Sequence, residues 1–267
     1  MLSGIGRGTL VAGAIAMVGM MAGQASAGIA GYTTVNAPTK IEELSHQQIL
    51  EMLYGGTFTQ NQVNFVNGAG ITVSRVYDFG ATEPLDLASG DPLQNTDQRF
   101  SSSGPITLTA RARYATDIAT FGWRDDTGDG SFQSILDTRD IGTDTTVTLS
   151  SDFRFALNNQ RLTDNQFTSR MADNLDATET ARDQMVMYKV FNPQNPNAST
   201  WLLFWEDRIT GQDFSDYDFN DSVVELSVIP TPGSLALLAT GSLLTLRRRR
   251  RRVGRVIFVQ CSLAGAP

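Results

Sequence analysis

Along residues 106–114 (Ile-Thr-Leu-Thr-Ala-Arg-Ala-Arg-Tyr) apolar and polar side chains alternate without a break, the period-two pattern of a strand with one wet face. The same reading predicts strands over 71–79, 118–123, 145–149, 153–157, 184–191, 201–205 and 222–228. Trp201-Leu202-Leu203-Phe204-Trp205 is apolar on both faces and is expected to be central in its sheet. Before the strands, Ser45-His46-Gln47-Gln48 offers a capping box, with Ile49, Leu50 and Leu53 on one helical face and Gly55-Gly56 as a stop. Two long polar stretches, 81–104 and 158–183, read as surface loops. Many short strands and one short N-terminal helix predict a mainly all-β fold, an antiparallel β-sandwich of jelly-roll-like type. The length leaves room for one medium-sized domain.

The two ends break this pattern. The first 27 residues hold one charged side chain, Arg7, then an apolar, glycine-rich stretch and an Ala-x-Ala site at Ala25 and Ala27. That order predicts a signal peptide over 1–27, cleaved by signal peptidase before Gly28; the alternative is a buried Gly/Ala-rich helix. Residues 233–246 carry no charge and are followed by six arginines, 247–252. The arginine run resists translocation, so a C-terminal hydrophobic membrane helix with a cytoplasmic stop is expected. At 14 residues the uncharged run falls short of the roughly 20 that span a bilayer core, a gap that snorkelling and thinning accommodate. The alternative there is a buried helix with a basic tail.

Charge sharpens the division. Eight of the 21 basic residues lie in the end segments and all 28 acidic residues lie between them, which leaves 13 against 28 and a formal charge of −15 for the exported part. Such a surface repels phosphate backbones and attracts divalent cations, so nucleic acid is not expected as a partner. The one cysteine, Cys261, lies beyond the arginines, so the exported region has no disulfide to staple it.

Acidic residues concentrate in 206–221, between two predicted strands: Glu206, Asp207, Asp213, Asp216, Asp218, Asn220 and Asp221. Two unit charges 4 Å apart repel by about 4 kcal/mol at an effective dielectric of 20, so something must offset their approach. Calcium is the simplest candidate, since it takes roughly 6–8 oxygen ligands. The alternative is an acidic hairpin whose aspartates cap backbone amides or face water. In an extended chain Asp216, Asp218 and Asn220 would share one side, which puts them with Val224, Leu226 and Val228 unless a bulge or turn intervenes near 220–221. Asp125 and Asp129, in Asp125-Asp126-Thr127-Gly128-Asp129-Gly130, form a weaker second candidate, because Leu136 stands where a calcium loop closes with Glu. His46 is the sole histidine and is expected at a solvent-facing or capping position. Zinc would need a His/Cys cluster, and no recognisable catalytic constellation is present, so an enzyme is not expected.

Two resemblances extend this reading. Val228-Ile229-Pro230-Thr231-Pro232-Gly233, the apolar run and the arginines together resemble the PEP-CTERM sorting signal, with Thr231 in place of the usual Glu and with residues 253–267 as an added tail. The resemblance implies cleavage near Pro230, Thr231 and Pro232 by an exosortase-type protease and delivery to the cell surface or an exopolysaccharide matrix. Phe204-Trp205-Glu206-Asp207 and Asp216-Tyr217-Asp218-Phe219-Asn220-Asp221 are similar to the end of the exported-protein domain of unknown function 4114, with Phe121-Gly122-Trp123 and 183–188 as earlier pieces. That family implies a β-sandwich in surface or matrix proteins. The organisation expected is therefore 1–27 signal peptide, 28–104 N-terminal helix and first strands, 105–229 β-sandwich, 230–252 sorting signal and 253–267 tail. The function expected is a non-catalytic cell-surface or extracellular-matrix protein stabilised by calcium. The second reading is a calcium-dependent carbohydrate-binding module, with Trp123, Trp205 and Tyr217 as stacking surfaces.

Overall fold

The computed structural model describes residues 32–78, 96–102, 104–125, 130–149, 152–161, 166–176, 178–196, 198–209 and 215–228. The signal-peptide residues Ala25 and Ala27, the motif Pro230-Thr231-Pro232, the apolar run and arginines, and the 253–267 tail lie outside them. Among the described residues no helix is long and apolar enough to cross a membrane.

The described residues are mainly antiparallel β with one short α-helix. Helix α1 (His46–Tyr54) starts where the capping box predicts: Gln48 N donates to Ser45 Oγ and Ser45 N donates to Gln48 Oε1. It ends as Gly55 turns to φ 72°, where a Cβ would be strained, and donates its N–H to the Glu51 carbonyl. Ile49 and Leu50 are fully buried on its inner face.

The larger sheet runs β1 (Phe58–Asn61), β2 (Asn64–Asn67), β3 (Thr72–Arg75), β10 (Met185–Phe191), β11 (Ser199–Trp205), β12 (Ser222–Val228), β4 (Pro105–Arg113) and β7 (Asp144–Thr148). The smaller runs β6 (Gln133–Asp137), β5 (Ala119–Asp125), β8 (Phe153–Asn159) and β9 (Gln166–Thr168). β3 pairs with β10, so residues on either side of Gly104 share one sheet.

Both faces of the larger sheet are covered. Leu108, Leu203, Trp205 and Val224 on one face meet Phe121, Phe155 and Leu157 of the smaller sheet in an apolar core. Val186, Leu202, Phe204 and Val223 on the other face pack under Ile49 and Leu50 of α1 and Phe58 of β1. β11 is therefore buried on both sides and lies between β10 and β12, the central place its sequence predicts. A bulge sets Val223 and Val224 opposite Ala112 and Ala110, so the extra residue, Arg111, sends Ala110 into the inter-sheet core and Ala112 into the other.

Several expectations are corrected. The polar segments that form β1, β2, β6 and β9 are too short to alternate visibly, and each is a strand. Within 81–104 the described residues do not all lie on a surface loop: Thr96, Asp97, Gln98 and Phe100 are buried. The stretch 158–183 likewise holds β9, a 3-10 turn (Met171–Asp173) and the buried Asn174 and Asp176. His46 faces the core rather than solvent. Its Nδ1 lies 2.9 Å from the Tyr188 hydroxyl and its ring 4.0 Å from that of Phe204. Burial, and then the nearby Arg75 charge, pushes its pKa down to about 3.

Candidate metal centre

Strand register places the acidic residues. Met185 opposes Trp205, so Gln184 opposes Glu206, and Glu206 N donates to the Gln184 carbonyl at 3.0 Å. Trp205 opposes Ser222, and one more step sets Glu206 against Asp221. Directly opposed residues project to the same face, so Gln184, Glu206 and Asp221 form a row across three strands. Asp207 joins the row by donating its N–H to Asp221 Oδ2 at 2.9 Å. One carboxylate oxygen each from Glu206, Asp207 and Asp221 lies within 4.8 Å of the others.

The approach to β12 folds back over this row. Tyr217 and Phe219 adopt φ 57° and 56°, left-handed values that side chains other than glycine rarely take. The turn that the alternation required thus falls at Tyr217 and Phe219, ahead of 220–221, and it lets Asp218, Phe219 and Asn220 all be buried. Asn220 Nδ2 donates to Asp218 Oδ2 at 2.7 Å and to the Leu44 carbonyl at 3.0 Å, which docks the hairpin beside the start of α1. Asp216 Oδ2 accepts from Thr39 Oγ1 at 2.9 Å. Glu43, just ahead of the Ser45 cap, completes a second group: oxygens of Glu43, Asp216 and Asp218 lie within 4.8 Å of one another.

Two oxygens on one calcium, each 2.3–2.6 Å from it, are at most about 5 Å apart, so both groups have the spacing of oxygens that share a cation. Their electrostatics ask for one. Burial, and then the charges of Asp221, Asp216, Asp218 and Asp207, raises the Glu206 pKa. Asp207 and Asp221 are also raised, each chiefly by burial. Asp218 is pushed up to about 7 by burial and then by Asp216. Among the described residues Glu43 Oε2, Glu206 Oε2, Asp207 Oδ2 and Asn220 Oδ1 are enclosed without a hydrogen-bond partner, as are both amide atoms of Gln184. Lys40 pairs with Glu43, and Arg208 Nε stands 3.9 Å from Asp207 Oδ1. Hard oxygen donors, buried, crowded and short of protons to accept, are the chemistry of a cation site. The groups present suit a metal ion in general.

Of the predicted ligands, Glu206, Asp207 and Asp221 converge in one group and Asp216 and Asp218 in the other, with Asn220 between them. Asp213 lies outside the described residues. Asp125 ends β5 opposite Phe153, and Asp129 lies outside the described residues. Sequence reading missed Glu43 and Gln184. The only local signal for Gln184 is a polar Asp-Gln pair opening an apolar run. The stacking role expected of Trp205 is corrected, because its ring is fully buried and meets Phe121 in the inter-sheet core. No protein-family model and no curated protein matches the chain.

Proposed function

We propose that this is an exported, non-catalytic surface or matrix protein, sorted or membrane-anchored through its C-terminal signal, whose jelly-roll-like sandwich is locked by calcium at the acidic hairpin. The observation that carries the calcium reading is the set of enclosed, unpartnered oxygens on Glu43, Glu206, Asp207 and Asn220 beside the carboxylates of Asp216, Asp218 and Asp221. Calcium is favoured over smaller ions because its flexible coordination accepts 6–8 oxygens of mixed carboxylate and amide type. The ion would fasten the 36–44 segment, the hairpin and the ends of β10–β12 together, a role suited to a domain outside the cell with no disulfide.

Thermal unfolding of the full-length chain in EDTA and then in millimolar calcium tests this reading. At 100 times the dissociation constant a single site stabilises by about 2.7 kcal/mol, which in a domain of this size raises the melting temperature by roughly 5–10 °C. The pair of substitutions Asp218→Ala and Asp221→Ala removes the hairpin's share of that rise. An unchanged melting temperature in calcium refutes the calcium lock. The sorting half has its own readout: an epitope tag placed after Pro267 should separate from the exported domain only in a host with an exosortase.

A second reading, a calcium-dependent carbohydrate-binding module, draws support from one feature. A cavity of about 330 Å³ beside the hairpin is lined by Thr33, Asn36, Arg182 and the half-buried Tyr217, polar and aromatic groups suited to a sugar. Glycan-array binding abolished by chelator would favour it over the structural role.

A further inference from the structure

Three more carboxylates, none of them in the hairpin groups, also converge. Asp78 follows β3, Asp97 precedes Gln98 in the buried 96–100 stretch, and Asp183 leads into β10; one oxygen from each lies within 4.8 Å of the others. Their exposures are 0%, 0% and 5%. Arg75 neutralises one of them, with Nε donating to Asp78 Oδ1 at 2.9 Å and Nη2 to Oδ2 at 2.7 Å. Asp97 and Asp183, when ionised, leave two negative charges to be balanced.

The other donors at this site are neutral. Thr33 Oγ1 donates to Asp183 Oδ2 at 2.8 Å, and Thr33 N donates to Asp78 Oδ2. Gln98 Nε2 reaches Asp97 Oδ1 at 3.2 Å. Among the described residues Asp97 Oδ2 is enclosed and has no hydrogen-bond partner, which makes it the open acceptor of the group. Burial, and then the neighbouring carboxylates, raises Asp97 and Asp183 well above the usual carboxyl range.

We propose that Asp78, Asp97 and Asp183 form a second cation site, separate from the hairpin, that takes one hard divalent ion of calcium type. A divalent ion cancels the two charges that Arg75 leaves, and the oxygens have the spacing of a shared ion. The unpartnered Asp97 Oδ2 supplies a ligand atom with no competing donor, and water completes a shell of 6–8 oxygens. Because Thr33 binds both Asp78 and Asp183, the ion would fasten the segment at Thr33 and the end of β3 to the start of β10. The competing arrangement is a proton shared by Asp97 and Asp183, as in paired carboxylates that cannot both ionise.

Equilibrium dialysis of the full-length chain against calcium separates the two arrangements. Asp97→Asn is expected to bind one calcium fewer per chain than wild type, whereas Glu206→Gln, in the hairpin, retains that ion. The two sites share no ligand, so the loss of either assignment leaves the other standing. An Asp97→Asn chain that binds as much calcium as wild type, or that melts higher than wild type in calcium, overturns the site in favour of the shared proton. Should Asp97→Asn fail to fold, wild-type crystals soaked in terbium decide. An anomalous peak among the three carboxylates supports the site, and its absence there beside a peak at the hairpin overturns it.

Discussion

Two neighbouring rows on the same face of the larger sheet make opposite demands. Val186, Phe204 and Val223 oppose one another across β10, β11 and β12, and all three are buried beneath Ile49 and Leu50. Two residues along the same strands stand Gln184, Glu206 and Asp221. The first row is stable by packing alone: apolar area is removed from water and nothing is left unsatisfied. The second repeats the geometry with an amide and two carboxylates and closes only when a cation or protons join it. Regular strand pairing thus holds the centre of the sheet unconditionally and presents, at the strand ends, a site whose stability depends on the solution.

Phe204→Ala should have the largest effect. It should cost about 3–5 kcal/mol in denaturant unfolding, equally in EDTA and in calcium, because the apolar row does not depend on the ion. Glu206→Gln sharpens the contrast from the other side. In EDTA near pH 8 it should stabilise the chain by about 1–3 kcal/mol, since a neutral amide replaces a crowded acid, and the calcium response should fall. A loss of stability in EDTA would place Glu206 with the self-sufficient row.

Acidity gives a smaller, graded effect. Asp218 holds its proton up to about 7 in the folded chain, against about 4 when unfolded. Its contribution to the metal-free protein is fully present below about pH 4 and is lost as pH rises through 7, at no more than about 1.4 kcal/mol per pH unit. Calcium needs the ionised carboxylate, so the difference in melting temperature between calcium and EDTA should widen over that window. His46 acts in the opposite sense. Held neutral down to about 3, it contributes stability above its unfolded value of about 6.5 that is lost as pH falls. Melting temperatures in EDTA for wild type and Asp218→Asn isolate the carboxylate slope. Ser45→Ala should do least, about 1 kcal/mol from the lost cap, with no change in calcium response.

The apolar row was legible in the sequence because β11 is apolar on both faces and β4 and β12 alternate; the capping box fixed α1 as directly. The acidic hairpin was legible as a cluster, and the fold does bring carboxylates from it together. The geometry within it was not. Tyr217 and Phe219 take left-handed backbone angles without being glycine, so an extended reading put Asp218 and Phe219 on opposite sides when both are buried. Glu43, Gln184, and the grouping of Asp78 with Asp97 and Asp183 depend on which strands pair, and no local pattern carries that. His46 was misread for the same reason. Its partner Tyr188 lies 142 residues away, on a strand whose place beneath α1 follows from sheet order. The end segments were read from segment order, short motifs and a resemblance, and lie outside the described residues.

The most direct test is calorimetric titration of calcium into the full-length chain and into the double variant Glu206→Gln with Asp221→Asn. Saturable binding to wild type, with a heat that depends on buffer because protons leave the carboxylates, and a smaller number of bound ions in the double variant, is the result this account predicts. The same number of ions bound by both chains, or none bound by wild type, would contradict it.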